Sequence, residues 1–318
     1  MRNKTIADIG EFGFIDILKN RFAKIGDDCF CFKKGKETFC VTKDVLVEDS
    51  HFKTAWTSAF ELGKKAIEVN VSDIASMGNV SPKYAFIGLG LPAKTPLKFL
   101  NELYKGFASA CKKHNMLIAG GDTVKSEKII ISITVIGSAL DKVVLRTGAK
   151  NGELIGITNS FGNAGAGCAL LYKYGAKRKF NADEKYLISK QNNPQARIKE
   201  AKILSKFVSS MTDASDGLAK SVELISQNKG ADINLNKIAV SKELERVFKD
   251  KEKQIYYALF GMEDFELVFS CNAKYENKIR KVLPNVSFIG KITNSKKLRY
   301  FYDGKIFKKI KKSGYKHF

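Results

Sequence analysis

Seven aspartates, Asp27, Asp28, Asp44, Asp73, Asp122, Asp213 and Asp216, stand at the ends of apolar segments. If several of them converge in the fold, each close pair of carboxylates repels by about 4 kcal/mol at an effective dielectric of about 20. Protonation or a bound cation must relieve that repulsion. Oxygen ligands without a His/Cys cluster select Mg²⁺, which completes its shell with water and substrate phosphates. In a basic chain, such a site points to phosphoryl transfer, where positioning and charge neutralisation supply most of the catalysis.

The stretch from Phe39 to Phe52 reads as a buried strand that runs out into an acidic, histidine-bearing loop. Side chains alternate between faces along a strand, so Cys40, Thr42 and Asp44 share one face and Val41, Lys43 and Val45 the other. Thr42 and Asp44 then present oxygen ligands together, while Lys43 points away.

Before this strand, apolar positions from Ile6 to Leu18 predict one or two helices, and Gly26-Asp27-Asp28 enters a first strand through turn-forming residues. After it, Ser58 and Glu61 have the spacing of a capping box, and a helix runs from there to a C′ glycine at Gly78, burying Leu62, Ala66, Val69 and Met77. Asp73 falls near the negative end of that helix, in a largely apolar segment, where it needs a cation. Tyr84 to Leu91 is a predicted strand. Thr95 and Pro96 open the next helix as N-cap and N1, with Tyr104 on its core side. Gly120-Gly121-Asp122 fits either a tight hairpin or a close backbone approach to a phosphate, and a strand follows from Ile129 to Ile136.

Turn formers between Asp141 and Glu153 mark a boundary, giving domains 1–145 and 146–318. The second begins with a strand, Leu154 to Thr158, and a glycine-rich loop, 162–167, that matches neither the dinucleotide fingerprint nor a Walker A loop. That loop is read as helix packing first and ligand contact second. Asn193-Pro194 predicts a helix start, Ser215 the N-cap of a helix carrying Leu218, Val222 and Ile225, and Asp303-Gly304 a hairpin. Phe265, Leu267 and Phe269 are placed on one face of a strand.

The chain has 318 residues, a formal charge of +22 and 44% hydrophobic residues, as expected of a folded protein of two domains. The charge favours anionic partners. However, the lysines are spread along the chain, dense only from Lys305 to Lys316, which fits a solvated surface. A nucleic-acid-binding protein would show a recognition motif, and none occurs. Cys29, Cys31, Cys40, Cys111, Cys168 and Cys271 show no paired metal-ligand spacing and read as buried free thiols of a reducing compartment. With no apolar signal core and no run approaching the ~18 residues of a membrane span, the expected location is cytoplasmic.

The motifs resemble one family. Ile-Gly-Asp-Asp at 25–28, the 39–52 stretch, Asn-Val-Ser-Asp-Ile-Ala-Ser-Met-Gly at 70–78, Gly-Gly-Asp-Thr at 120–123, Ser-Asp-Gly-Leu at 215–218 and Glu-Asp-Phe-Glu-Leu at 263–267 occur in the order found in thiamine-monophosphate kinases. The resemblance implies an α/β (α+β), two-domain PurM-like fold shared with aminoimidazole ribonucleotide synthetase. Its N-terminal mixed sheets pair in a homodimer, and ATP binds near that interface. It further implies direct γ-phosphoryl transfer from ATP to thiamine monophosphate with several Mg²⁺ ions. By position, Asp28, Thr42, Asp44, Asp73, Asp122, Asp213 and Asp216 match metal ligands, and Tyr104, Gly121, Asp122, Arg146 and Ser215 nucleotide contacts. His51, Glu263 and Tyr315 match contacts to the thiamine phosphate, Tyr315 offering a stacking surface for a flat cation. No general base is assigned, and neither nucleic acid nor membrane is an expected partner.

Three residues depart from the family pattern: Lys43 stands for a usual Ser or Thr, Met262 for a glycine and Phe265 for a tyrosine. None removes a carboxylate. Selenophosphate synthetases and aminoimidazole ribonucleotide synthetases are the nearest alternatives, but His51 and the Glu263 motif favour the thiamine enzyme. A hydrogenase-maturation relative would end in a cysteine-bearing tail, whereas this chain ends Tyr-Lys-His-Phe.

Overall fold

The computed structural model describes residues 5–19, 21, 22 and 25–307. Its first half runs α1 (Ile6–Lys19), β1 (Phe30–Lys34), β2 (Glu37–Val47), α2 (Ala59–Ser76), β3 (Ser81–Leu91), α3 (Leu97–Lys113), β4 (Leu117–Lys125) and β5 (Ile130–Ala139). The strands form one mixed sheet in the order β1-β2-β5-β3-β4, with β3 and β4 parallel and the other neighbours antiparallel. Alternation along β2 is as expected: Cys40, Thr42 and Leu46 are buried, and Lys43 and Val45 are exposed on the opposite face. Lys43 donates to Ser132 Oγ on that outer face at 2.6 Å.

The inner face of this sheet is covered by α2, whose capping box at Ser58 and Glu61 is formed and whose C-terminus is closed by Gly78 at a φ of +91°. Two glycines let α3 lie close against it. A Cβ at Gly63 would stand 2.2 Å from the Leu103 carbonyl oxygen, and one at Gly106 2.1 Å from that of Phe60. The start of α3 differs from expectation by one residue. Pro96 takes the N-cap position with no side-chain cap, because the Thr95 hydroxyl turns back to the Pro92 carbonyl. Tyr104 is exposed rather than in the core, its ring edge against Phe107.

The second half runs β6 (Leu154–Thr158), α4 (Asn163–Tyr174), α5 (Ala182–Asn192), α6 (Ile198–Leu204), β7 (Val208–Asp213), α7 (Leu218–Ser226), β8 (Gly230–Asn234), α8 (Lys242–Val247), α9 (Lys251–Phe260), β9 (Leu267–Cys271), α10 (Glu276–Val282), β10 (Val286–Thr293), β11 (Leu298–Tyr302) and β12 (Lys305–Ile306). Its sheet has the order β12-β11-β8-β10-β6-β9-β7. The hairpin at Asp303-Gly304 is present, both residues having positive φ. The helix predicted from Asn193 begins only at Ile198, and Phe265 lies before β9 rather than in it.

The glycine-rich loop packs helices. Cβ atoms at Gly165 and Gly167 would stand 2.5 Å from Gly261 Cα and 2.2 Å from the Leu187 carbonyl oxygen. The N-terminus of α4 is already satisfied, since Asp264 accepts from the Gly162 and Ala164 amides at 2.6 and 3.0 Å. All six cysteines are free. Cys31 and Cys168 are half-buried, and Cys31 and Cys40 face each other across β1 and β2 with their sulfurs 2.9 Å apart.

Candidate active site

Besides covering its own sheet, α2 touches α6 and β7 of the second half. This contact sets Asp73, one turn from the end of α2, beside Asp213 at the end of β7. The Ser72 hydroxyl donates to Asp213 at 2.6 Å and the Thr42 hydroxyl to Asp73 at 2.5 Å. The bend before β1 adds Asp28, and ligand oxygens of Asp28, Asp73 and Asp213 all lie within 4.8 Å of one another. Arg146 pairs with Asp28 through Nε and Nη2, and Thr212 donates to the same carboxylate oxygen.

Such crowding has the expected electrostatic cost. Burial, reinforced by neighbouring carboxylates, raises Asp44 to about 6 and Asp213 to about 8 and holds Asp73 well above the usual carboxylate range. After burial, Asp28, Asp216 and Glu263 are the groups that raise Asp44. Asp28 Oδ2 is buried and has no hydrogen-bond partner among the described residues. A buried carboxylate oxygen left without a donor, on an acid clustered with two others, suits a hard cation.

Other residues singled out in the sequence are not brought to this cluster. Asp122 lies in the interior of β4, not in a hairpin, three strand steps from β2, or roughly 14 Å. The pairings Val45–Ser132–Gly88–Asp122 put it on the outer face of the sheet, whereas Asp44 shares its row with Ile133, Ile87 and Gly121 on the inner one. Gly121 has no room for a side chain, its Cβ falling 1.9 Å from the Ile87 carbonyl oxygen. Tyr104 is on α3, which supplies none of the clustered acids. Ser215 is not an N-cap: Gly217 holds that position at a φ of +92°, and the Ser215 carbonyl instead accepts the Glu263 amide at 2.7 Å. Tyr315 lies outside the described residues.

A cavity of about 460 Å³ lies between the two halves, lined by His51, Trp56, Lys65, Tyr172 and Glu263 among others. His51 Nδ1 accepts from the Val47 amide at 3.0 Å, so the neutral ring carries its proton on Nε2. Trp56 and Tyr172 meet edge to face at 4.7 Å, and the Lys53 ammonium lies 4.9 and 5.3 Å from their ring centres. Glu263 accepts from Lys65 at 2.8 Å and from Gln191. Sequence reasoning did not find Lys65, Gln191, Trp56 or Tyr172. Lys65 had a signal: it falls on the helical stripe of Leu62 and Val69, where a lysine is out of place. The two aromatic residues come from separate segments with no shared pattern.

Family models for AIR synthase related protein match residues 26–139 with the N-terminal domain and 150–303 with the C-terminal domain. The thiamine-monophosphate kinase of Aquifex aeolicus is 33% identical over 98% of this chain and 99% of its own length. The chain belongs to the thiamine-monophosphate kinases. The kinase of Buchnera aphidicola subsp. Schizaphis graminum is 36% identical, covering 94% of both chains. A solved structure of AaThiL complexed with AMPPCP and TMP superimposes with a TM-score of 0.90 at 32% identity, over the whole of each chain. The chain is therefore an ATP-using thiamine-phosphate kinase with a two-domain PurM-like α/β fold built on two mixed sheets. No helix among its described residues is long and apolar enough to cross a membrane.

Proposed function

We propose that the kinase transfers the γ-phosphoryl group of ATP in line and directly to the phosphate of thiamine monophosphate, giving thiamine diphosphate and ADP. The observation that carries this reading is the cluster of Asp28, Asp73 and Asp213, whose ligand oxygens lie within 4.8 Å of one another, together with Asp44, whose carboxyl is raised by both Asp28 of that cluster and Glu263 of the cavity lining. This supports reading the metal site and the acceptor site as neighbours. Asp28, Asp73 and Asp213, with Thr42, Asp44 and Asp216 at the margin, would hold Mg²⁺. Once bound, the metal would neutralise charge on the ATP phosphates.

The residues of the chain orient the acceptor. Trp56 and Tyr172 offer ring faces to a cationic heterocycle, as the Lys53 ammonium near both rings illustrates. His51 Nε2–H donates to the acceptor phosphate, and Glu263 accepts from the organic part of the substrate. The attacking oxygen belongs to a phosphate whose second pKa is about 6, so it is ionised at pH 7 and no side chain need act as base.

Arg146 and Ser215, which flank the cluster, belong to the nucleotide end in this reading. Tyr104 and Gly121 we propose as further nucleotide contacts, and for Asp122 we propose a place at the interface of a homodimer. The outer face of the first sheet is apolar and exposed at Phe30, Phe32, Val45, Phe86 and Leu117, and Asp122 lies on that same face. Domains 1–145 and 146–318 divide the two sheets. Six free cysteines support a cytoplasmic location.

The test is incubation with thiamine monophosphate, Mg²⁺ and ATP made chiral by isotope at its γ-phosphorus. Thiamine diphosphate and ADP should form in equal amounts with inversion at phosphorus. Retention, which requires a phosphoenzyme, overturns the direct mechanism.

A further inference from the structure

Lys65 is only 3% exposed, in the interior of α2. Lysine is almost never this buried without a partner. Its ammonium donates to Glu263 Oε2 at 2.8 Å and, more weakly, to the His51 carbonyl at 3.5 Å. One helix of the first half thus reaches both residues that face the proposed acceptor site.

Glu263 is held from two further directions. The Gln191 amide of α5 also donates to Oε2, and the Glu263 main chain, at a φ of +64°, is tied to Ser215. Both side-chain donors fall on Oε2 and neither on Oε1, which leaves Oε1 for the cavity. Lys65 itself has little to offer a ligand, since its side chain is 4% exposed and its ammonium is already engaged.

We propose that Lys65 is a positioning residue for substrate specificity: it fixes Glu263 so that Oε1 meets the amino group and cationic ring of a thiamine-type substrate, without touching that substrate. The inference rests on reading the cavity as the thiamine monophosphate site. Because the Lys65–Glu263 pair is neutral as a unit, selection there follows from the direction of one carboxylate oxygen and not from excess negative charge. The same link makes the acceptor site depend on both halves of the molecule, since α2 supplies the cation and the loop after α9 the acid.

Trp56 is the chain's one tryptophan and lines this cavity, so its fluorescence reports occupancy directly. Thiamine monophosphate should perturb Trp56 emission in the unsubstituted protein. Lys65→Met should raise the Kd from that signal at least tenfold while the KM for ATP changes less than twofold. Lys65→Met leaves the half-buried Glu263 without its cation and Glu263→Gln leaves the buried Lys65 without its anion, so the double variant, which strands neither charge, completes the cycle. If Lys65 acts through Glu263, adding Lys65→Met to Glu263→Gln should change the Kd less than threefold. Equal losses in both backgrounds, or no loss in Lys65→Met, overturn the inference alone. An unresponsive Trp56 in the unsubstituted protein overturns the cavity reading and the inference with it.

Discussion

Asp44 and Asp73 are acids that the fold makes expensive: burial and neighbouring carboxylates hold both above the ordinary range. An amide in either place removes the repulsion but also a proposed cation ligand. Asp44→Asn and Asp73→Asn should therefore each lower kcat on the order of 10²–10³-fold or more, with a metal-free melting temperature equal to or above that of the parent. Near-normal turnover in both would sink the metal reading. Asp264 is a contrasting case, an acid whose partners are two amides at the start of α4. Burial raises it to about 7 despite those donors. Its native state thus keeps a proton that the unfolded chain has released, so its stabilising contribution is complete below about pH 4 and lost as pH rises through 7. Asp264→Asn cannot titrate. In urea titrations, the stability of the parent relative to Asp264→Asn should fall as pH rises from about 4 to about 7, with a slope of about 1.4 kcal/mol per pH. A flat difference would show that Asp264 is ionised throughout.

Among the elements, α2 does most to assemble the site. Its capping box and terminal glycine were legible in the sequence because both are local, set by residues three apart or by one backbone angle. Its close contact with α3 was not, since Gly63 and Gly106 are far apart in the chain and nothing local says they meet. Gly63→Ala would force a methyl group to 2.2 Å from the Leu103 carbonyl oxygen, so α2 must move. A loss of about 1–3 kcal/mol is expected in denaturant unfolding, together with weaker binding of Mg²⁺, because Asp73 rides on the same helix. Unchanged stability would mean that the crossing relaxes freely. Local reasoning also misplaced three helix starts, one of them by five residues, from Asn193 to Ile198. Thr95 and Ser215 are good cap residues, but one hydroxyl bonds backwards to Pro92 and Gly217 occupies the cap position in the other. Tertiary and turn contacts outweigh a preference worth about 1 kcal/mol.

At the scale of the whole molecule, the feature that stands out among the described residues is the solvent-exposed outer face of the first sheet. Phe30, Phe32, Val45, Phe86 and Leu117 are each more than a third exposed there, and apolar side chains gathered on one exposed face mark an interaction surface. Sedimentation should give twice the 35.4 kDa chain mass, and Phe86→Lys with Leu117→Glu should give the single mass without loss of secondary structure. A monomeric parent would refute the homodimer. By itself the sequence determined the family, the order of motifs and the strand alternation that sends Lys43 away from the acids, because these depend on residue identity and on a two-residue period. Only the tertiary structure decided which aspartates meet. Asp28, Asp73 and Asp213 come from a bend, a helix end and a strand end and are joined by α2 packing against β7. Asp122, equally prominent in the sequence, is carried by its strand register to the opposite face. The buried Lys65–Glu263 link has the same origin: its partners are 198 residues apart, and no local pattern records a contact made only when the two halves dock.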